Sequence, residues 1–266
     1  MVKLLSQDPT NYEDAPREGI RRILEIATGK PYPRSEQLSV GDFSSFAVRM
    51  GTTVATNALL ERKGERVALL ITKGFGDALR IGNQSRPNLF ALNIQRPGVL
   101  YEDVVEVDER VTIEAYQQDP DPHTETLEAA LETNSQLTRG VSGEIVRILD
   151  KLNEEKTLRD LKILYNKGFR SLAVCLVHSY TFQEHELAIE RLAKQVGFTN
   201  ISLSSQILPM IKLTSRAAST TADAYLTPVV KRYIEGFRSG FNDRLTSDGS
   251  RCEFMQSDGG LVNFEK

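Results

Sequence analysis

An α/β fold with a second α/β unit is what this sequence predicts, and three stretches carry the reading. Residues 66–72 form a nearly continuous apolar run bounded by Gly64 and Gly74, the pattern of a strand buried on both faces of a parallel or mixed sheet. Across residues 158–204 helix and strand patterns alternate. A helix over 158–166 stops at Lys167-Gly168, a strand follows over 171–177, a helix over 183–196 stops at Gly197, and a strand follows over 201–204. The third stretch is a strand over 45–50 that gives way at Gly51 to a helix over 53–62. With the strand at 66–72 it reads as a right-handed βαβ unit, which would put Gly51 at the sheet end where α/β ligand sites lie.

The remaining elements follow in chain order. Residues 2–5 read as the end of a strand, followed by a polar loop containing Asp8-Pro9-Thr10. A strand that starts so early calls for a partner before it, so the chain is expected to open inside a domain. Ile20, Ile23, Leu24 and Ala27 recur at helical spacing over 15–28, and Gly29 ends that helix. Over 101–113, Val105 and Val107 alternate with Glu106 and Asp108, the mark of a half-buried strand. Alternate residues on a strand point to opposite faces, so Glu106, Asp108 and Glu109 are expected on a solvated face rather than converging as a metal or acid–base cluster. Residues 116–143 are polar and hold Pro120 and Pro122, which suits a surface insertion or hinge. The expected domains are therefore 1–115, a polar insertion or hinge at 116–157, and a second α/β unit at 158–266.

Composition narrows the function classes. A chain of 266 residues can bury a sizeable core in one large or two modest domains. A net charge of −3, with no basic and aromatic alternation, points away from a general nucleic-acid binder. No apolar run approaches the roughly 18 residues of a membrane helix and the amino terminus shows no signal-peptide core, so a cytoplasmic protein without a membrane partner is expected. Cys175 lies in an apolar run and reads as core, and Cys252 has no CxxC neighbour. His123, His178 and His185 lack zinc-type spacing, so no metal ligands are assigned.

Three polar stretches are candidates for chemistry. Gly51-Thr52-Thr53, with Thr56 and Asn57 one turn later, collects hydroxyl and amide groups at a strand-to-helix turn. It reads either as an anion or small-ligand site or as an ordinary helix cap with Thr52 or Thr53 at the N-cap. Between Gly74 and Arg86, the residues Asp77, Arg80, Asn83, Gln84 and Arg86 read as a solvated surface helix and loop. The alternative reading is a site in which the Arg86 fork takes a carboxylate while Asn83 and Gln84 meet an amide. Asp258-Gly259-Gly260, after a strand beginning at Cys252, reads as a β-turn. No GxGxxG, Walker or GxSxG pattern is present, which disfavours a serine hydrolase at Ser202, Ser204 and Ser205.

The Gly51–Arg62 stretch, read with residues 67–77, 81–86, 168–174, 223–228 and 254–261, resembles the amino-terminal part of the hydantoinase/oxoprolinase A family, and within it the eukaryotic-type ATP-dependent 5-oxoprolinases. That resemblance implies part of an actin-like or ribonuclease-H-like ATPase lobe joined to a second α/β unit. It implies ATP-dependent opening of the lactam of 5-oxo-L-proline to L-glutamate, in glutathione metabolism, with Mg2+ and K+ and a homo-oligomer, a dimer, in the full-length family. A lactam carbonyl is a poor electrophile, and phosphorylating its oxygen creates a leaving group before water attacks.

By the same resemblance Thr52, Thr53 and Asn57 are catalytic, Gly51, Gln84 and Arg86 bind substrate, and Asp258, Gly259 and Gly260 face the nucleotide. Arg216 and Asp223 are site residues by location only, at the head of a helix running past Pro228 to Phe241. Relatives carry a glycine-rich acidic phosphate loop before the segment matching Lys3-Leu4-Leu5 and a second glycine-rich block beyond the segment ending at Lys266, so a fragment of such an enzyme is expected. The alternatives are an ATP-dependent hydantoinase with another substrate, or a truncated product without catalysis.

Overall fold

The computed structural model describes residues 1–5, 10–12, 14–39, 47–83, 90–93, 98–115, 129–242, 251–256 and 258–263. They form two compact units, one of Gly64–Pro228 and one of Met1–Lys63 with Val229–Lys266. The breaks fall at 63/64 and 228/229, not near 115 and 157.

The unit spanning Gly64–Pro228 is built on a four-stranded parallel sheet. Its strands are β2 (Val67–Thr72), β3 (Asp103–Val107), β7 (Ser171–Cys175) and β8 (Asn200–Leu203), in the order β3-β2-β7-β8. The central strands β2 and β7 are buried at every residue, as the continuous apolar runs require. Period-two alternation sorts their side chains to two faces. Ala68, Leu70, Leu172 and Val174 pack with Leu161 and Leu164 of α4 (Glu154–Asn166) and with Ile189 and Ala193 of α5 (Glu184–Val196). Val67, Leu69, Ile71, Ala173 and Cys175 pack on the other face with Ala217, Ala224 and Tyr225 of α7 (Leu213–Arg238). Cys175 is core, as its setting in the sequence implies, and burial pushes its thiol up to about 11.

Local signals account for the helix ends. Asn153 caps α4 by accepting the Lys156 amide at 3.0 Å, and Gly197 ends α5 in the left-handed region at φ 109°. Short helices among the described residues include α2 (Val54–Leu60), α3 (Ala78–Ile81) and α6 (Ser204–Ile207). Gly64 is needed for space: a Cβ there would stand 2.1 Å from the Tyr225 ring. Gly64→Ala is expected to cost about 1–3 kcal/mol through overpacking, read as a lower midpoint in urea with an unchanged slope.

Two expectations for this unit are corrected. The single strand over 101–113 is two strands, β3 and β4 (Arg110–Ala115), which belong to different sheets. The stretch placed in a polar insertion or hinge contains β5 (Leu137–Arg139) and β6 (Ile145–Asp150), which pair antiparallel in a sheet of order β4-β6-β5 over Val111, Val146 and Phe182. Of the carboxylates at the β3–β4 junction, Glu106 is exposed and Asp108 half-buried, so the solvated-face expectation fails only at Glu109. Glu106 accepts the amides of Gly74 and Gly76 at 3.0 Å each, Asp108 takes Lys156 at 2.9 Å, and Glu109 is buried.

The other unit holds α1 (Ala15–Thr28) and a three-stranded sheet of β1 (Ala47–Met50), β9 (Arg251–Met255) and β10 (Leu261–Asn263). The sheet order is β1-β9-β10, parallel between β1 and β9 and antiparallel between β9 and β10. Helix α1 keeps the bounds its periodicity predicts, and Gly29 ends it at φ 67° with its amide on the Glu25 carbonyl. Leu24, Leu38, Met50, Phe237 and Phe241 form the core. No strand covers residues 2–5. The βαβ expectation also fails, because β1 and β2 lie in different sheets and β1 takes its parallel neighbour from β9, about 200 residues later.

Candidate functional site

Strand β1 ends at Met50 and α2 begins at Val54, so Gly51, Thr52 and Thr53 make the whole connection. Thr53 occupies the N-cap without a side-chain cap bond, and it is the Thr52 hydroxyl that accepts the Val54 amide, at 3.2 Å. Thr53 accepts from the Asn57 side-chain amide at 3.4 Å. The capping reading is therefore half right, with Thr52 one position early. Gly51, Thr52, Thr53 and Asn57 are all exposed, and a Cβ at Gly51 would meet nothing within 4 Å, so a ligand can approach that backbone.

These residues open on a cavity of about 740 Å³. Its wall also carries Asp14 and Arg17 of the α1 entry and Arg232 and Tyr233 of α7. Arg17 is held by Asp14 at 3.1 Å and packs so closely on Gly240 that a Cβ there would fall 1.8 Å from its Cδ. Burial raises the Asp14 carboxyl against the opposing pull of the Arg17 charge. Burial likewise raises the Tyr233 phenol, opposed by the nearby Thr52 hydroxyl and reinforced by the nearby Asp14 charge, so Tyr233 is a neutral phenol at physiological pH. No local pattern marks Asp14, Arg17, Arg232 or Tyr233 beyond Asp14 and Arg17 standing three residues apart at a helix entry.

Asp258, Gly259 and Gly260 form the turn between β9 and β10. The Asp258 carboxylate accepts the Gly260 amide at 2.8 Å, the Gly260 carbonyl accepts the Gln256 amide at 2.8 Å, and Gly259 takes φ 84°. The β-turn reading holds, and Gly259 is where it needs glycine. Parallel register pairs Met50 with Phe254, so Gly51 and Gln256 each follow the carboxyl end of adjacent strands, whose spacing is about 5 Å. Both candidate turns thus leave the same edge of one parallel pair, the edge at which α/β sheets meet ligands.

The other candidates lie elsewhere. Gln84 and Arg86 fall outside the described residues. Asp77 and Arg80 stand 3.9 Å apart at the surface. Arg216 is fully buried and donates to Ser204 Oγ at 3.0 Å and to the carbonyls of Leu176 and Met210, while Asp223 accepts from Ser202 at 2.6 Å and Thr227 at 3.0 Å. Both are structural ties rather than ligand contacts. Missed altogether was a buried polar array at the carboxyl edge of the four-stranded sheet: Glu186 beside Arg216, and Glu109 bonded to Thr72 and, at 2.9 Å, to His185 Nδ1.

Comparison with known proteins bears on what these turns are for. The model of the hydantoinase/oxoprolinase N-terminal region matches residues 1–197, and that of hydantoinase/oxoprolinase matches residues 216–266. This chain belongs to the hydantoinase/oxoprolinase family. Among its relatives, an uncharacterised protein of Schizosaccharomyces pombe is 56% identical over 100% of this chain and 20% of its own length. The 5-oxoprolinase 1 of Arabidopsis thaliana is 50% identical over 98% of this chain and 19% of its own length. The chain thus spans about a fifth of the length of the curated relatives it matches. A solved ATP-dependent caprolactamase from Pseudomonas jessenii shares the fold, with a TM-score of 0.65 and 21% identity over 97% of this chain and 32% of that one. The α/β class expected from the sequence is therefore shared with that caprolactamase.

The donor set fits one of the groups the family uses. Hydroxyls, a side-chain amide and two guanidinium groups suit phosphate or carboxylate oxygens. Among the described residues, no three carboxylate, imidazole or thiol groups are placed to hold a metal ion.

Proposed function

We propose that this chain forms the amino-terminal part of an ATP-dependent 5-oxoprolinase, a cytoplasmic enzyme that opens the lactam of 5-oxo-L-proline to L-glutamate. The observation that carries the reading is the emergence of the Gly51–Asn57 and Asp258–Gly260 turns at the same ends of β1 and β9, with the threonines opening on the cavity. Bound ATP supplies a phosphoryl group that activates the lactam oxygen. Within this chain, Thr52 and Thr53 donate to ligand oxygens, Asn57 fixes Thr53, and the backbone at Gly51 allows close approach. Asp258 holds its own turn so that the Gly259 and Gly260 backbone faces the nucleotide. Arg86 remains the proposed partner of the substrate carboxylate, with Gln84 at the lactam amide. Mg2+ and K+ would accompany the nucleotide, and the full-length protein would be a homo-oligomer.

Calorimetric titration of the 266-residue chain with 5-oxo-L-proline, hydantoin and Mg-ATP tests this. The expected result is binding of 5-oxo-L-proline and Mg-ATP in preference to hydantoin. Thr52→Ala with Thr53→Ala should weaken it on the order of tenfold per hydrogen bond lost, with an unchanged melting temperature. Preference for hydantoin would reassign the substrate. Absence of binding by any of the three would mark a non-catalytic fragment.

A further inference from the structure

One cavity in the Gly64–Pro228 unit holds charges that the fold does not use. It has a volume of about 540 Å³ and lies where β2 and β3 end and β4 and β6 pair, at the carboxyl edge of the parallel sheet. Three cations, Lys73, Arg110 and Lys151, and three carboxylates, Asp108, Glu109 and Asp150, line it. Glu109 is already committed, with one carboxylate oxygen on Thr72 and the other 2.9 Å from His185 Nδ1. Asp108 is committed to Lys156 at 2.9 Å and to Lys73 at 3.4 Å. That leaves Arg110, Asp150 and Lys151, none of which has a salt bridge or side-chain hydrogen bond among the described residues. Arg110 and Asp150 face each other across the β4–β6 pair, with Cα atoms roughly 5 Å apart, yet their charges do not join. The register shifts between Arg110 and Val111, a bulge of the kind that re-aims a side chain, and the guanidinium lies over the Phe75 ring, 5.0 Å from its centroid. The ring covers one face of the guanidinium and leaves its N–H edge open to a carboxylate.

Two positive groups and one negative group are thus on offer over one cavity, and their complement is a ligand with two carboxylates and one ammonium. An α-amino acid carries a carboxylate and an ammonium on one carbon, so its receptor needs a cation and an anion on neighbouring positions, as Arg110 and Asp150 are. We propose that this cavity binds an α-amino acid with an acidic side chain, its α-carboxylate on Arg110, its ammonium on Asp150 and its second carboxylate on Lys151. Glu109, bonded to both Thr72 and His185, anchors the corner from which Arg110 projects. The site goes beyond the functional reading above and does not rest on it. Under that reading L-glutamate is the product, and it carries the ammonium group that the lactam lacks, so this site would take product and refuse substrate.

The test is calorimetric titration of the 266-residue chain and its variants with L-glutamate, L-aspartate and glutarate, with thermal melting followed in parallel. At least one of the two amino acids should bind saturably, and more tightly than glutarate, which has both carboxylates and no ammonium. Asp150→Asn should weaken the amino acid about tenfold and leave glutarate unchanged, since only the amino acid has a charge-assisted bond to lose there. Lys151→Met should weaken the amino acid and glutarate alike. Asp150 and Lys151 are exposed, so neither change should move the melting temperature. Failure of both amino acids to bind, glutarate binding as tightly as they do, or affinity indifferent to Asp150→Asn overturns the inference. If L-glutamate affinity falls with Thr52→Ala plus Thr53→Ala and not with Asp150→Asn, the ligand sits at the threonine turn, so the inference fails and the functional reading stands.

Discussion

Arg216→Met is expected to destabilise the protein by about 3–5 kcal/mol, the range for removing one partner from a buried charged array. Arg216 is the largest side chain buried to 0% exposure, and its guanidinium donates to Ser204 Oγ and to the carbonyls of Leu176 and Met210. Glu186, also at 0%, accepts the Leu176 amide at 2.9 Å, the Ser204 hydroxyl at 2.6 Å and the Ser205 amide at 2.9 Å. Ser204 thus joins the two charges, and Leu176 is held by both through its amide and its carbonyl. Methionine has similar volume but no donors. It removes the donors to Ser204 Oγ and the Met210 carbonyl, leaves the Leu176 carbonyl with Ser179 alone, and leaves the Glu186 carboxylate without a neighbouring positive charge. For a chain of this size the loss corresponds to a fall in melting temperature on the order of 10 °C, measurable by calorimetry or circular dichroism. A change of less than about 1 kcal/mol would show that water reaches the site.

Thr72→Val should be the next most damaging change, at about 2–4 kcal/mol, although it is isosteric and lies at the end of a strand. The Thr72 hydroxyl donates to Glu109 and accepts the Val177 amide at 2.9 Å, so valine strands a buried carboxylate oxygen and a backbone N–H together. Glu109 would retain only His185, whose Nδ1 lies 2.9 Å from the other carboxylate oxygen. Chemical denaturation gives the magnitude. A double-mutant cycle between Thr72→Val and Glu109→Gln gives the coupling, expected at roughly 1–3 kcal/mol for contacting members of one network. Additive effects would mean that the two side chains act separately.

What the sequence made legible follows from where its information is local. Strands β2 and β7 could be read because both faces are buried, which leaves an uninterrupted apolar run, and α1 and α5 because glycine stops a 3.6-residue period. Strands β5 and β6 were hidden because Thr138, Arg139 and Arg147 interrupt short runs in a stretch dominated by polar residues and turns. The βαβ reading failed for a different reason: local order joins β1 to β2, whereas the parallel partner of β1 is β9, a pairing that no window of neighbouring residues contains.

The site divides in the same way. Gly51, Thr52, Thr53 and Asn57 stand together in the sequence and open on one cavity in the structure. Asp14, Arg17, Arg232 and Tyr233 join them only through folding. Glu109 misled because its polarity in an alternating stretch implies solvent, while the break between β3 and β4 turns it inward to Thr72 and His185.

The most direct test of the ligand-binding turns is amide chemical-shift mapping on the isotopically labelled 266-residue chain during titration with Mg-ATP and then 5-oxo-L-proline. The largest changes are expected at Gly51, Thr52, Thr53 and Asn57 and at Gly259 and Gly260, the two turns at the carboxyl ends of β1 and β9. Saturable shifts confined to other residues, with these six amides unmoved, would contradict the account.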